Sequence, residues 1–160
     1  MFRATRTMLR ASQVLRAEAA QSEVKTTAGK VLFKFRSPTM SMVDGEIDLA
    51  IVPGLAGDFG VSDKLSPLLA QLRPGVVSVQ KEANSPMQKW FVTGGFAVMQ
   101  EDNVCAVTVS EAIPVEHLDI NLINQQLVQN EALVASAGTP EGKAEAEIAV
   151  EVYSAMKTAF

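Results

Sequence analysis

The side chains that could do chemistry in this chain are few and are not grouped. The one histidine, His117, has carboxylates beside it but no nucleophile at a recognisable spacing, so we interpret it as a solvated residue in the first turn of a helix. The one cysteine, Cys105, lies in the alternating segment VCAVTV, where a small buried thiol fits a strand interior. These two residues are too few for a disulfide framework or a Cys/His zinc site. The sequence therefore predicts no catalytic residue, no metal and no cofactor.

Three glycines with the spacing GxxGxxG superficially resemble a phosphate-binding loop. Gly54, Gly57 and Gly60 are followed neither by a Walker lysine nor by a strand-to-helix pattern. We interpret them as turn positions where a backbone with positive φ or a close approach of two strands is needed. The acidic residues near the C-terminus are interpreted as a solvated helix face rather than as metal ligands. They are Glu141, Glu145, Glu147 and Glu151.

Composition and charge exclude several classes of protein. The chain has 160 residues, of which 48% are hydrophobic and 20% charged, and this is ordinary globular composition. Its net charge of -4 has the wrong sign for a protein that neutralises many phosphates, so we expect no nucleic-acid partner. No apolar run reaches the length of about 18 residues that a membrane-spanning helix needs. Any work at a membrane would have to pass through another subunit.

The N-terminal segment differs from the rest of the chain. Arg3, Arg6, Arg10 and Arg16 all precede the first acidic residue, Glu18, and apolar and hydroxyl side chains lie between them. This pattern is typical of mitochondrial transit peptides. We therefore predict a transit peptide over about residues 1–20, with an approximate cleavage site, and a polar linker over 21–30. The alternative interpretation of the segment is a basic surface helix.

Residues 31–112 carry the pattern of short antiparallel strands. Val31, Phe33 and Phe35 alternate with Leu32, Lys34 and Arg36, which is the period of a half-buried strand. Similar segments follow at short intervals and are separated by Pro53-Gly54, Pro74-Gly75, Gly94-Gly95 and the polar tip Glu101-Asp102-Asn103. Short strands with regular turns indicate a β-sandwich or flattened barrel.

Residues 113–160 change to a helical pattern. Thr139 is the expected N-cap of a last helix that begins at Pro140, and Gly138 separates it from the helix before. The fold class predicted is thus α+β, an N-terminal antiparallel β-sandwich followed by an antiparallel two-helix hairpin. The side chains expected on the buried faces of the hairpin are apolar or small. They are Leu118, Leu122, Ile123, Leu127 and Leu133 in the first helix, and Ala144, Ile148, Val152, Ala155 and Met156 in the second.

Three glycine-punctuated segments, IVPGLAGDFGV, SPLLAQLRPGVVSV and KWFVTGGFAVM, occur between Ile51 and Met99. In order and separation they resemble the small rotor subunit of F-type ATP synthases, called epsilon in bacteria and chloroplasts and delta in mitochondria. The resemblance implies a non-catalytic subunit of the central stalk that links the membrane-embedded c-ring to the gamma subunit. It implies one copy per complex on the matrix side of the inner membrane, contact with the membrane only through the c-ring, and a small mitochondrial epsilon subunit as a further partner.

The resemblance also singles out one acidic turn. In the family, the acidic residue of the GDFG or GELG turn faces the polar loops of the c-ring, and here it corresponds to Asp58. Gly57, Asp58 and Phe59 are therefore the candidate c-ring interface. An exposed carboxylate beside glycine can dock on basic or amide groups across a wet interface. The other interpretation is a turn-forming aspartate that bonds its own backbone.

Two departures from the family pattern bear on the type of subunit. Leu65 stands where many members have a histidine, so any contact of that histidine cannot be transferred to this chain. The I/L-D-x-x-R-A motif of ATP-binding bacterial members has no good equivalent between Pro114 and Phe160. Both the second departure and the N-terminal arginines favour the mitochondrial type. The alternatives are an epsilon-type inhibitor of ATP hydrolysis and an unrelated β-sandwich binding module.

Overall fold

A computed structural model of the chain describes residues 26–160. The predicted transit peptide and the first part of the predicted linker lie outside these residues. Ten β-strands are followed by a 3-10 turn at Val115–His117 and by two α-helices. The elements are β1 (Val31–Arg36), β2 (Ser41–Ile47), β3 (Leu49–Gly54), β4 (Gly57–Val61), β5 (Leu68–Leu72), β6 (Gly75–Gln80), β7 (Gln88–Val92), β8 (Gly95–Met99), β9 (Val104–Val109), β10 (Ala112–Pro114), α1 (Ile120–Ser136) and α2 (Pro140–Thr158).

The strands form two layers that share one hydrogen-bonded path. The order is β10-β7-β6-β3-β5-β8-β9-β1-β2, and β4 pairs with the free side of β3. Between β3 and β5 there is a single residue pair, Gly54 with Leu72, and this pair joins the two layers. The predicted β-sandwich is thereby confirmed, with one difference: β1 runs parallel to β9, and the other strand pairs are antiparallel. A sandwich layer can contain one parallel pair when the two strands are distant in sequence.

The strand prediction was correct for the strongly alternating segments and incomplete elsewhere. The apolar alternation around Ile47 and Leu49 belongs to two strands, because the chain leaves β2 and enters β3 at Asp48. Strand β4, with the sequence GDFGV, was not predicted as a strand because glycine has low strand propensity. Pairing with β3 along its whole length overrides that propensity.

The core lies between the two layers and is built from β-branched and aromatic side chains. Phe33 and Phe35 of β1 are fully buried, and the Phe35 ring meets the Trp90 ring edge-on at 5.7 Å between centroids. The core cluster includes Val31, Val52, Val61, Val77, Val79, Val92, Cys105, Val107 and Val109. The alternation that predicted the strands is therefore the alternation of inward-facing and outward-facing side chains.

Both helices begin at side-chain caps. The Asp119 carboxylate accepts from the backbone amide of Asn121 at 2.8 Å and caps α1, while the Thr139 hydroxyl accepts from Gly142 at 3.3 Å and caps α2. Pro140 occupies the first turn of α2, where its missing N–H costs no hydrogen bond. The predicted hairpin and the predicted cap at Thr139 are confirmed.

The predicted buried faces of the hairpin were only partly right. Ile123 is the buried residue of α1 and Ala146 that of α2, whereas Leu122 and Leu133 are each 55% exposed and Ile148 is 62% exposed. The two helices pack against each other, and α2 also contacts β6. A pair of helices that touches the sandwich along one side leaves other apolar side chains exposed among residues 26–160.

Phe91 shows where the hairpin region meets the sandwich. Phe91 is fully buried, but it is not part of the core between the two layers. Its strand neighbours Trp90 and Val92 do pack against that core. Phe91 must therefore lie on the opposite face of β7, because successive side chains of a strand point to opposite faces. The 3-10 turn contacts β7 and α2 contacts the adjacent β6, so this outer face is covered by the C-terminal region.

Replacing Gly95 with alanine tests the close contact between β8 and β9. Gly95 has φ +155°, and an added Cβ would overlap the Thr108 carbonyl oxygen and lie 2.8 Å from the Val109 Cα. Because both are backbone atoms, we expect Gly95→Ala to lower the free energy of unfolding by more than about 2 kcal/mol in urea denaturation. Gly45→Ala is the control, since an added Cβ there has no atom within 4 Å. Equal effects of the two substitutions would contradict the packing seen here.

The Cys105 thiol tests burial of the core. Its side chain is 1% exposed, and burial raises the pKa of the thiol from 9.0 to about 12. We expect no reaction with a thiol reagent at pH 8 in the native protein and one equivalent in urea. The unfolded thiol ionises near pH 9 while the folded one stays protonated, so its contribution to stability is complete below pH 9 and is lost between pH 9 and about 12. Rapid labelling of the native protein would contradict this prediction, because it would show that this part of the core opens. Cys105→Ala is the control for labelling that does not occur at the thiol.

Candidate functional site

The segment containing the candidate c-ring interface is a tight turn at one end of the sandwich. Strand β3 ends at Gly54, β4 begins at Gly57, and these two glycines are register partners. A Cβ at Gly54 would lie 2.7 Å from the Gly57 carbonyl oxygen, and Gly57 has φ +133°, a conformation that other residues rarely adopt. The interpretation as positions set by backbone geometry is consistent with this turn for Gly54 and Gly57. It is wrong for Gly60, which lies inside β4, where an added Cβ would make only an ordinary contact with Leu49.

Two backbone hydrogen bonds attach the turn to the neighbouring segment. The Leu55 amide donates to the Gln71 carbonyl at 2.9 Å, and the Arg73 amide donates to the Pro53 carbonyl at 3.1 Å. Gly75 lies close to the same place, because a Cβ there would be 2.8 Å from the Pro53 Cβ. The turn is thus bonded on both sides of Gly54, to Gln71 within β5 and to Arg73 directly after it.

The structure places the three predicted interface residues in sequence along β4, but not on one face. Gly57 and Asp58 are exposed, whereas Phe59 is half-buried and packs against the core cluster. Phe59 is the register partner of buried Val52, and Asp58 is the partner of Pro53. A partner that docks at this end of the sandwich can therefore meet the carboxylate of Asp58 and the backbone of Gly57, while Phe59 supports the strand from inside.

The Asp58 carboxylate forms an ion pair. Its Oδ1 accepts from Arg73 Nη2 at 2.7 Å, and the two side chains are 56% and 45% exposed respectively. Among the described hydrogen bonds this carboxylate does not bond its own backbone, so the turn-forming interpretation of Asp58 does not describe the structure. An exposed pair of this kind contributes at most about 1 kcal/mol to folding. Its value for stability alone is small.

Apolar side chains surround the turn on the side of β5. Leu55 is 65% exposed and Leu69 is 72% exposed, and together with Ala56, Phe59 and Ala70 they line a shallow depression. The exposure of Leu69 was not predicted from the sequence, because SPLLAQL has the composition of an ordinary core segment. Only the pairing of β5 with β8, which sets its register, shows that Leu69 points away from the core.

The other side of the turn faces the hairpin. Asp58 and Arg73 line a small depression with Gly75, Val76 and, from the last turns of α2, Ala155 and Thr158. The ion pair thus stands where the turn, the start of β6 and the end of α2 come together.

The opposite end of the sandwich is closed by hydrogen bonds within the chain. Asn103, at φ +60°, donates from Nδ2 to the Lys30 carbonyl at 2.7 Å and to Asp63 Oδ1 at 2.8 Å. The Thr27 hydroxyl donates to Glu46 at 2.7 Å and its amide at 2.8 Å, and these bonds hold the pKa of Glu46 below its usual value. These polar groups bond one another, and Thr27, Asp63 and Asn103 also border an open depression at this end of the sandwich.

The residues considered for chemistry remain apart in the structure. His117 is exposed at the end of the 3-10 turn, and Cys105 is buried in β9. Within residues 26–160 there is no group of three or more His, Cys, Asp or Glu side chains that could hold a metal ion. In the same part of the chain, no helix is both long enough and apolar enough to cross a membrane.

Comparison with known proteins identifies the sandwich. Residues 30–115 match the family described as "ATP synthase, Delta/Epsilon chain, beta-sandwich domain". The chain is 34% identical to the ATP synthase subunit delta', mitochondrial, of Ipomoea batatas, over 82% of this chain and 65% of that protein. It thus spans less than two thirds of that relative.

A second relative matches from end to end. The mitochondrial ATP synthase subunit delta of Kluyveromyces lactis is 31% identical over 100% of this chain and 99% of its own length. A chain in the cryo-EM structure of the Euglena gracilis mitochondrial ATP synthase (OSCP/F1/c-ring) has the same fold, with TM-score 0.75, 19% identity, and coverage of 85% of this chain and 84% of that one. The chain therefore belongs to the family of ATP synthase delta and epsilon chains.

Proposed function

We propose that this chain is the delta subunit in the central stalk of a mitochondrial ATP synthase. It is a non-catalytic rotor subunit that links the c-ring to gamma and passes proton-driven rotation on for ATP synthesis. The observation that carries this proposal is the end-to-end similarity to the Kluyveromyces lactis delta subunit. The family assignment also replaces the alternative of an unrelated β-sandwich binding module.

The architecture suits the transmission of torque. Two layers joined through the Gly54–Leu72 pair enclose a close-packed core, and such cores have low compressibility. A load applied at the turn can pass through β3 and β4 into the rest of the sandwich without a bond being made or broken. Rigidity and surface complementarity are the properties that this role demands of the chain.

The proposed contact with the c-ring is the turn that contains Gly57, Asp58 and Phe59. Gly57 and Asp58 are exposed at one end of the sandwich, on a turn that backbone hydrogen bonds hold on both sides. A carboxylate on a rigid support loses little conformational entropy when it docks, and it accepts strong hydrogen bonds from amide or cationic groups. These features support the proposed contact.

The hairpin is the proposed site for the small mitochondrial epsilon subunit, and gamma is the proposed partner of the sandwich. Exposed apolar side chains on the two helices support a further partner, since they have little cover within residues 26–160. They are Leu122, Val128 and Leu133 of α1, and Ile148 of α2. One copy of the chain per complex would sit on the matrix side of the inner membrane and touch the membrane only through the c-ring.

The proposal includes the division of the chain predicted from the sequence. Residues 31–112 would form the sandwich domain and 113–160 the hairpin domain, preceded by a transit peptide at about 1–20 and a linker at 21–30. The arginine pattern supports the transit peptide. The contact of α2 with β6 supports a hairpin that stays on the sandwich, which disfavours the epsilon-type inhibitor as the alternative function.

Native electrophoresis tests the proposed function. The chain would be tagged at its C-terminus in mitochondria, and the membranes would be solubilised in a mild detergent. We expect the tag to migrate with the complete ATP synthase together with gamma and the c subunit. A tag that runs as a free small protein, while the synthase is intact without it, would overturn the assignment to the central stalk.

Asp58→Asn tests the proposed c-ring contact. The amide keeps the shape of the side chain but loses the charge, so we expect the amount of chain that stays with the c-ring after solubilisation to fall by about threefold or more. Asp44→Asn is the matched control, because Asp44 forms an equally exposed ion pair with Arg36 on the β1–β2 pair. Unchanged retention and unchanged proton-driven ATP synthesis in Asp58→Asn would remove this contact from the proposal.

A further inference from the structure

Arg73 is the charged residue that the structure places against the candidate c-ring interface. It follows β5 and directly precedes Pro74 and Gly75 at the start of β6, fifteen residues after Asp58 in sequence. Its guanidinium contacts the Asp58 carboxylate through Nη2 at 2.7 Å. From the sequence, Asp58 was predicted as part of the interface and Arg73 was not.

The backbone of both residues is held on the same short segment. The Arg73 amide donates to the Pro53 carbonyl, and Asp58 is the register partner of Pro53. Gly75, two residues after Arg73, allows the chain to pass against the Pro53 ring. The ion pair therefore joins two backbone segments that meet at one proline.

Only one of the two oxygens of the Asp58 carboxylate takes part in the ion pair. Oδ1 accepts from Arg73, and within residues 26–160 the other oxygen, Oδ2, accepts from no group. An exposed aspartate without a partner samples several rotamers, and docking would have to select one of them. An aspartate held through one oxygen presents the other oxygen in one direction, which lowers that cost.

We propose that Arg73 is a positioning residue for the c-ring contact. It holds Asp58 through Oδ1 so that Oδ2 is directed outward and accepts a hydrogen bond from an amide, hydroxyl or cationic group of the ring. This inference rests on the c-ring role proposed above for residues 57–59. It implies that the ring recognises a carboxylate already paired with a guanidinium rather than an isolated negative charge.

A purely internal role for the pair makes different predictions. Asp58 and Arg73 also border Ala155 and Thr158 of α2, so the pair could brace the turn against the hairpin instead. If the ion pair only holds the turn against the hairpin, it needs one acidic and one basic residue, and either of them can stand at residue 58. A positioned carboxylate needs the acid at residue 58 and the base at residue 73.

The test compares variants supplied as the sole copy of the chain in mitochondria. They are Arg73→Gln, Arg73→Lys, Asp58→Asn, the double variant D58N/R73Q and the exchange D58R/R73D. Arg36→Gln is the matched control, since the Arg36–Asp44 pair is equally exposed and lies on the β1–β2 pair, away from the turn. Retention of the chain on the c-ring is measured after mild solubilisation at increasing KCl, and the melting temperature of each purified variant is measured in parallel.

We expect Arg73→Gln to lower retention by about threefold or more, as Asp58→Asn does, and the double variant to be no worse than either single one. Arg73→Lys should recover most of the retention, because a single nitrogen makes the contact. The exchange should stay low although it restores an ion pair, and Arg36→Gln should be unchanged. All melting temperatures should stay close to that of the wild type, since exposed pairs add little to stability.

The outcomes that overturn the inference are distinct from those that overturn the proposed function. Full retention in Arg73→Gln with loss in Asp58→Asn would leave the contact in place and remove the role of Arg73. Restored retention in the exchange would make the pair an internal brace. Full retention in both single variants would remove the contact itself, and a wild-type chain absent from the synthase would overturn the assignment to the central stalk.

Discussion

The close approach of backbones at Pro53 and Gly54 is the constraint on which the candidate site depends. At this point β3 pairs with β4 and, through Gly54, with β5, while Gly75 packs against Pro53 from the start of β6. A side chain at Gly54 would meet the Gly57 carbonyl, so the turn can close only with glycine. The pairing of Gly54 with Leu72 also joins the two layers, and Arg73, which follows Leu72, contacts Asp58. The close approach at Pro53 and Gly54 therefore sets both the joining of the two layers and the position of the candidate site.

The electrostatics of the site follow from exposure. Asp58 and Arg73 are both about half exposed, so water screens their attraction and their pair adds little to folding. The same exposure leaves one carboxylate oxygen available to a partner. A pair that is nearly neutral for stability and fixed in direction is better suited to recognition than to holding the fold together.

The hairpin instead carries apolar surface that no other part of residues 26–160 covers. Its two helices are capped by Asp119 and Thr139 and pack against each other, but each contributes only one buried residue. Helices with so little buried surface gain little from packing within a pair, and most helical stability in proteins comes from tertiary packing. A subunit that works inside a larger assembly can leave this packing to its neighbours, and the proposed central-stalk role provides such neighbours.

The sequence by itself determined the fold class, the order of sandwich and hairpin, the cap at Thr139 and the family. The first three follow from local causes: alternation of apolar residues, glycine and proline at turns, and the geometry of a capping side chain. The family came from the resemblance carried by the three glycine-punctuated segments. Only the tertiary structure decided the parallel pairing of β1 with β9, the exposure of Leu69 and Ile148, and the partnership of Asp58 with Arg73. Each of these depends on which distant segments meet and in what register, and the periodicity of a single segment carries no information about its partner.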